Sequence, residues 1–407
     1  MLTATCSLET STIALVMKIA HYTSELGAHG GIASYVRRLG GALSRRGHEV
    51  VYLCTHDGSD DERESVEVDP ERVGTAARTL GVDVLHLHRP LPELPDVEVP
   101  TLRTMHGNHG SCPSGSRYLK RTGTPCNRDY SVSGCLWGHL VDHCGSRRPH
   151  RMASNFRSIE REQHQAANIP TLTVSAFLKD RMIRSGCPPE NLHVVPSPAP
   201  NVSGAFPPFP DAAPPRFVFA GRIEPKKGVD WLLRSVARTE TSAHLDVAGT
   251  GSDRYLQKLK TLADDLGIPN RVTFHGWLDG DALETLIERA RALVFPSVWH
   301  EPAGLVTLEA AAVGRPVIAS DVGGIAEYAR DGFADLVAAR DVSGLARCID
   351  DLARQPGRAQ RMGRRGRALA RTEFSIGRFT GRMLGIYNRL IASAPASAGT
   401  DRRPETG

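Results

Sequence analysis

The carboxylates Glu301 and Glu309 stand eight residues apart in the segment His300-Glu301-Pro302-Ala303-Gly304-Leu305-Val306-Thr307-Leu308-Glu309. Eight residues are slightly more than two helical turns, so a helix beginning after Gly304 carries both on one side. The amides of Gly304, Leu305 and Val306 then stand free at the helix N-terminus, where the dipole favours an anion or a hydroxyl acceptor. Glu309 runs into Ala310-Ala311-Ala312, and a carboxylate buried on such a small-residue helix needs a partner. A ribose diol would supply one.

Three further segments share this chemistry. Gly27-Ala28-His29-Gly30-Gly31-Ile32 is a glycine-rich turn opening a helix, where bare N–H groups of Gly30 and Gly31 can approach an anion. The alternative is a tight turn that needs positive φ. Gly221-Arg222-Ile223-Glu224-Pro225-Lys226-Lys227-Gly228 follows a strand and offers Arg222 as a fork and Lys227 as a point charge for a diphosphate. His106, in Thr104-Met105-His106-Gly107-Asn108-His109, also follows a strand. It is a candidate for contact with a reacting group, against the commoner role of a cap or core histidine.

These segments need a scaffold that places strand ends around one cleft. From Lys18 to Tyr22, Glu49 to Cys54 and Val82 to Leu87, short apolar runs alternate with helical periodicity such as Ile32 to Arg46. That alternation predicts βαβ units on a parallel sheet. Pro100 to Met105 and Thr171 to Ser175 extend the sheet on either side of a long irregular insert. A proline-dense stretch, 201–215, marks a linker, after which the alternation restarts at Phe217 to Gly221 and runs through Pro316 to Ala319. The expected organisation is an extension at 1–16, a first domain at 17–200 with a cysteine-rich insert at 107–150, and a second domain at 216–375. A helix at 376–391 and a disordered tail at 392–407 complete the chain.

Composition narrows the class. The 407 residues suffice for two domains with real cores, and 40% hydrophobic with 23% charged residues is globular. A net charge of +5 does not identify a nucleic-acid binder, and no nucleic-acid partner is expected. No apolar run approaches the ~18–20 residues that span a bilayer. The N-terminus lacks a basic leader region, so the expected compartment is cytoplasmic, with Met17 an alternative start. The helix Ile32 to Arg46, with Arg37, Arg38, Arg45 and Arg46, is compatible with resting on anionic lipid at the inner face of a membrane. It is equally compatible with a core-packed helix that has a charged outer face. Arg354 to Arg371 has the same two readings. Asp279-Gly280-Asp281 precedes a helix and is read as a cap, not a metal site.

Taken together, the ordered set Gly30-Gly31-Ile32, Gly221-Arg222-Ile223 with Lys227-Gly228, the Glu301/Glu309 pair, and Gly314-Arg315-Pro316-Val317-Ile318-Ala319-Ser320 leading to Gly323-Gly324-Ile325-Ala326-Glu327 resembles the retaining glycosyltransferases of family 4 (glycosyl transferases group 1) from Met17 to Ile391. The resemblance implies an α/β GT-B fold, two Rossmann-like doubly wound domains facing a central cleft. It implies transfer of a sugar from a UDP-, GDP- or ADP-sugar with no cofactor required. Arg222 and Lys227 would hold the diphosphate, Glu309 the ribose, and Glu301 with the amides of Gly304, Leu305 and Val306 the sugar hydroxyls. Gly31 would lie against the phosphates, His106 by the transferred sugar, and the Phe274-His275-Gly276 backbone by the base, with Gly249-Thr250-Gly251 bordering the pocket. The last helix would return to the first domain. A nucleotide-sugar epimerase on the same fold and a catalytically silent sugar-nucleotide-binding protein are the alternatives. A sugar, lipid-linked or small-molecule acceptor is expected.

Two stretches depart from the family pattern. Val194-Val195-Pro196-Ser197-Pro198 replaces an Asn-Gly turn. The insert places Cys112, Cys126, Cys135 and Cys144 near His109, His139 and His143, a set chemically able to bind structural zinc although it has no C-x2-C pair. Free thiols and disulfides are the alternatives for an intracellular chain. Following His106, the insert should border the acceptor side.

Overall fold

The computed structural model describes residues 16–26, 30–56, 65–94, 99–211, 213–330 and 332–394. Most of the extension at 1–16, the Gly27-Ala28-His29 part of the first turn and the tail from 395 onward lie outside the described residues. Strands β1 (Lys18–Glu25), β2 (Glu49–His56), β3 (Ser65–Glu67), β4 (Val84–Leu87) and β5 (Thr101–Met105) are followed by a small antiparallel hairpin, β6 (Tyr118–Leu119) and β7 (Thr124–Pro125). Strands β8 (Thr171–Thr173) and β9 (Leu192–Val194) come next. Without the hairpin they form one parallel sheet in the order β3-β2-β1-β4-β5-β8-β9. Strands β10 (Arg216–Ala220), β11 (His244–Ala248), β12 (Val272–Gly276), β13 (Ala292–Phe295), β14 (Val317–Ser320) and β15 (Ala334–Val337) form a second parallel sheet, β12-β11-β10-β13-β14-β15. Every residue of β4, β5, β13 and β14 is buried, as expected of strands covered on both faces. One apolar cluster runs from Met105, Val174, Leu178 and Met182 in the first sheet's layer to Phe295, Ala303 and Leu308 in the second.

The helix Ile376–Ser393 crosses back to the first sheet, where Phe379, Met383 and Tyr387, spaced by four, pack with Tyr35, Val36, Leu39 and Leu43. Gly377, Gly381 and Gly385 weaken this helix by up to about 1 kcal/mol each. Burial of the three large side chains returns about 1.5–3 kcal/mol each, so the docking surface stabilises the helix. The same packing buries the apolar face of the helix Gly31–Ser44, leaving Ile32 exposed, and thus favours the core-packed reading of that segment.

Helices Pro149–Asn168, Val342–Arg354 and Pro356–Arg371 and strands β3, β9 and β15 are additions to the sequence reading. Pro149–Asn168 extends past the expected irregular insert and buries Glu162 and Gln165 alongside Ile159 and Ala166. Glu162 forms a buried ion pair with Arg103 of β5. Pro356–Arg371 is not simply a charged face. Arg367 is buried and donates to the carbonyls of Ala312, Ser203, Gly204 and Ala205.

Beneath Ile376–Ser393 lies a column of histidines. His21 and His86 are register partners on β1 and β4, and His88 lies just beyond. His21 Nδ1 meets His88 Nε2 at 3.0 Å, and His88 Nδ1 meets His106 Nε2 at 3.0 Å. His86 is held by Tyr387 OH at 2.8 Å and Thr104 Oγ1 at 2.7 Å. Burial pushes His21 and His106 down to about 3 and His86 and His88 well below the ordinary imidazole range. The unfolded chain therefore binds more protons than the folded one between about pH 3 and 6.5, and stability is lost as pH falls through that window. His21 alone contributes a loss of about 2 kcal/mol by pH 5. The thermal unfolding midpoint should fall steadily from pH 7.5 to pH 5; a flat profile over that range would contradict the neutral, buried column.

Candidate active site

The site is assembled from loops at the carboxyl ends of both sheets, where ligands bind in open α/β folds. Lys227 closes a single 3-10 turn, Pro225–Lys227, ended by Gly228 at φ 78°. A Cβ on Gly228 would fall 1.9 Å from the Pro296 carbonyl oxygen, so only glycine lets the turn lie on the end of β13. That approach brings Lys227 Nζ to 2.5 Å from Glu301 Oε1, which also accepts from Ser297 Oγ at 2.6 Å. Glu301 is 5% exposed, and its carbonyl accepts from the amide of Gly324 at 2.7 Å. A Cβ on Gly323 would sit 2.3 Å from that carbonyl oxygen. The Gly323-Gly324 pair thus pins the backbone that presents Glu301.

Gly304, at φ 103°, precedes the helix Leu305–Ala312, whose half-buried first residues Leu305 and Val306 open toward the first domain. Across the cleft Gly30 precedes the helix Gly31–Ser44, and a Cβ on Gly31 would lie 3.3 Å from Leu305 Cδ1. Two helix N-termini therefore face one place. Glu309, half-buried on the second-domain helix, pairs with Arg38 of the first at 3.0 Å. Arg38 is a site residue that sequence reasoning counted only among surface arginines.

Arg222 stands largely exposed after β10 and pairs with Glu224 at 3.0 Å. Its loop is seated by Gly249 and Gly251, where added Cβ atoms would fall 1.9 Å from Gly221 O and 2.1 Å from Ile223 O. These glycines serve loop-to-loop contact. The side chain of His275 is committed to Asp246, Nε2 to Oδ1 at 2.7 Å, and Arg216 shares that carboxylate. Asp279 accepts from the amide of Ala282 at 2.8 Å and caps its helix.

His106 is half-buried at the end of β5, with its ring centroid 4.7 Å from that of Tyr35. Asn108 Nδ2, two residues on, donates to the His300 carbonyl at 2.8 Å, which ties this turn to the Glu301 segment. The hydrogen-bond network assigns the tautomer. His21 Nε2 is buried without a partner, and a buried bare lone pair costs less than a buried bare N–H. The protons then lie on His21 Nδ1 and His88 Nδ1, each donated outward along the column, and His106, accepting at Nε2, keeps its own on Nδ1.

Among the described residues, three or more metal-ligand atoms lie within 4.8 Å of one another at His21, His86 and His88. Five of their six ring nitrogens are already engaged, with one another, His106, Tyr387 and Thr104, and His21 Nε2 alone has no partner, which is the pattern of a neutral hydrogen-bond chain. A cavity of about 830 Å³ lies between the hairpin β6–β7 and the second domain, lined by Lys120, Arg121, Arg234, Arg254, Lys258 and Arg340. It contains none of the candidate residues. No helix among the described residues is long and apolar enough to cross a membrane.

Comparison with known proteins adds to this geometry. Residues 206–369 match the family model described as glycosyl transferases group 1, and residues 29–199 match glycosyltransferase family 4. The chain is 29% identical over 399 residues to a glycogen synthase of Mycobacterium tuberculosis, covering 85% of this chain and 87% of that one. It is 39% identical over 177 residues to a D-inositol 3-phosphate glycosyltransferase of Mycobacterium avium, covering 42% and 41%. Among solved structures, sucrose-phosphate synthase from Thermosynechococcus elongatus superposes with a TM-score of 0.72 at 20% identity over 93% of this chain and all of that one. Anabaena HepE in complex with UDP-glucose superposes with a TM-score of 0.68 at 16% identity over 92% of this chain and all of that one. With two parallel sheets facing a cleft and both halves matched, the chain belongs to the group 1, family 4 glycosyltransferases of GT-B fold.

Proposed function

We propose that the protein transfers a sugar from a nucleoside-diphosphate donor to a hydroxyl-bearing acceptor with retention of anomeric configuration. The observation that carries the reading is the buried Lys227–Glu301 pair, set beside one helix N-terminus and facing another. An anionic diphosphate would draw Lys227 from Glu301, leaving the carboxylate to accept from sugar hydroxyls. Arg222 and the free amides at Gly31, Leu305 and Val306 would add the remaining positive potential. Glu309 would exchange Arg38 for the ribose diol, and His106 Nδ1–H would donate to the transferred sugar.

In this reading the C1–O bond to the β-phosphate breaks with its electron pair on the diphosphate, whose charge Arg222 and Lys227 stabilise. The acceptor oxygen attacks from the same face, and its proton passes to the departing phosphate. The charges of this chain would do the work a metal does in other transferases. The glycosyltransferase relatives, and the UDP-glucose in the HepE complex, are consistent with such a donor. Interdomain contacts would shut out water during transfer: Ser175 Oγ donates to the Pro302 carbonyl at 2.5 Å, and Glu327 accepts from the amides of Ala176 and Phe177 at 2.7 and 2.6 Å.

Calorimetric titration with UDP-, GDP- and ADP-sugars should reveal one preferred donor. Arg222→Ala and Glu309→Ala should each weaken it about ten- to a hundredfold, the scale of one charge-assisted hydrogen bond. Unchanged affinity in Glu309→Ala would contradict the ribose role. With an acceptor supplied, transfer should need no added divalent metal and should persist in EDTA unless the cysteine-rich insert itself folds around a metal, and the anomeric coupling of the product by NMR should match that of the donor. Conversion of donor alone into an epimeric nucleotide sugar would identify an epimerase instead.

A further inference from the structure

The insert carries little regular structure beyond the hairpin β6–β7 and the helix Val132–Leu140. A segment of this size is too small to bury a core of its own, and Val132, Leu136, Trp137 and Leu140 are indeed exposed. Yet it straps the two domains together. Tyr118 packs in the second-domain cluster with Phe219, Ile223 and Trp231. Arg340 donates to the Gly123 carbonyl at 2.6 Å, and Asn127 Oδ1 meets His300 Nε2 at 2.7 Å, one residue from Glu301. Some interaction other than apolar burial must hold this strap in shape.

We propose that Cys112, Cys126, Cys135 and Cys144 hold a metal centre through four thiolates at the heart of the insert. The four side chains, with His139, line a single cavity of about 20 Å³, room for one ion-sized body. All four are free cysteines, so no disulfide competes for the sulfurs. A second observation concerns charge. The guanidinium of Arg117 lines the same cavity and is 1% exposed. It donates to Ser111 Oγ at 3.2 Å and to the carbonyls of Ser111, Cys126 and Arg128 at 3.1, 3.3 and 3.1 Å. Asp129 is the carboxylate whose charge reaches it, and that group is itself paired with Arg181 at 3.0 Å.

A buried cation whose hydrogen-bond partners are all neutral is costly. A divalent ion bound by four thiolates carries a net charge of −2 and would supply the missing countercharge beside it. Arg128, also at the cavity, is already paired with Asp142 at 2.6 Å. Binding replaces four S–H bonds with four metal–sulfur bonds and sends four protons to solvent, with no change of oxidation state. A single tetrahedral zinc ion needs thiolates about 3.8 Å apart, which would draw these sulfurs inward, because no three of them yet lie within 4.8 Å of one another. An iron–sulfur cluster, binding one thiolate per iron, would leave the sulfurs further apart but would have to widen the 20 Å³ cavity.

Elemental analysis of the full chain, purified without a polyhistidine tag under reducing conditions, tests the proposal and separates the two centres. One zinc per chain identifies the single ion. Iron with acid-labile sulfide and visible absorbance identifies the cluster. In either case Cys126→Ser and Cys135→Ser should cut the metal content more than tenfold, while Cys348→Ser, outside the insert, should leave it unchanged. Since losing a ligand can unfold the strap, the wild-type chain gives an independent readout: titration with a mercurial should release the metal in step with modification of four thiols. Less than a tenth of a metal ion per wild-type chain, or full metal content in both serine variants, would overturn the proposal.

Discussion

A carboxylate that is 5% exposed must be neutralised or hydrogen-bonded, and Glu301 is both, through Lys227 and Ser297. This constraint organises the second-domain half of the cleft. Gly228 exists so that the Lys227 turn can lie on Pro296, and Gly323 and Gly324 exist so that another loop can grip the Glu301 backbone. Removing either partner would strand a buried charge, which typically costs several kcal/mol. An ion pair of this kind adds little net stability, and in the proposed reading its value lies in holding a cation and an acceptor in reserve for a ligand that offers the opposite of each.

The first domain answers with polarity that carries no charge. Its histidine column is kept neutral by burial and runs from His21 to His106, so that in the proposed reading a neutral N–H, not an imidazolium, meets the transferred sugar. Tyr387, on the returning helix, fixes His86 within that column, and Phe379 packs against Tyr35, which itself lies on His106. The chain's last described helix thereby supports the first-domain side of the site. Contacts from Arg38 to Glu309, Asn108 to His300 and Glu327 to the amides at 176 and 177 then couple the two halves.

The alternation of apolar runs and helical periods made the two parallel sheets legible, because central strands buried on both faces leave continuous apolar stretches. Elements held by polar burial stayed hidden. Pro149–Asn168 buries Glu162 and Gln165 beside Ile159 and Ala166, and Pro356–Arg371 buries Gly363, Gly366 and Arg367 among Ala359, Met362 and Ala370, so each apolar stripe is thin and interrupted by polar or small residues. At the site, the pairing of Lys227 with Glu301 joins two residues 74 apart, each singled out separately by type and neighbours. Arg38 could not be told from Arg37, Arg45 and Arg46, since only the meeting of two domains gives it Glu309. His21 and His88 carried no signal either, because a strand histidine reads as core until the neighbouring strand brings a second one alongside.

The account's central claim is that Lys227 is shared between Glu301 and an incoming diphosphate. The direct measurement is calorimetric titration of UDP, GDP and ADP, and of the corresponding sugar nucleotides, into the wild-type chain and Glu301→Gln at low salt. Freed of its carboxylate, Lys227 should bind the preferred nucleoside diphosphate several-fold more tightly in the variant, while the additional affinity conferred by the sugar is lost. Equal weakening of the diphosphate and the sugar nucleotide, or no change in either, would contradict the account.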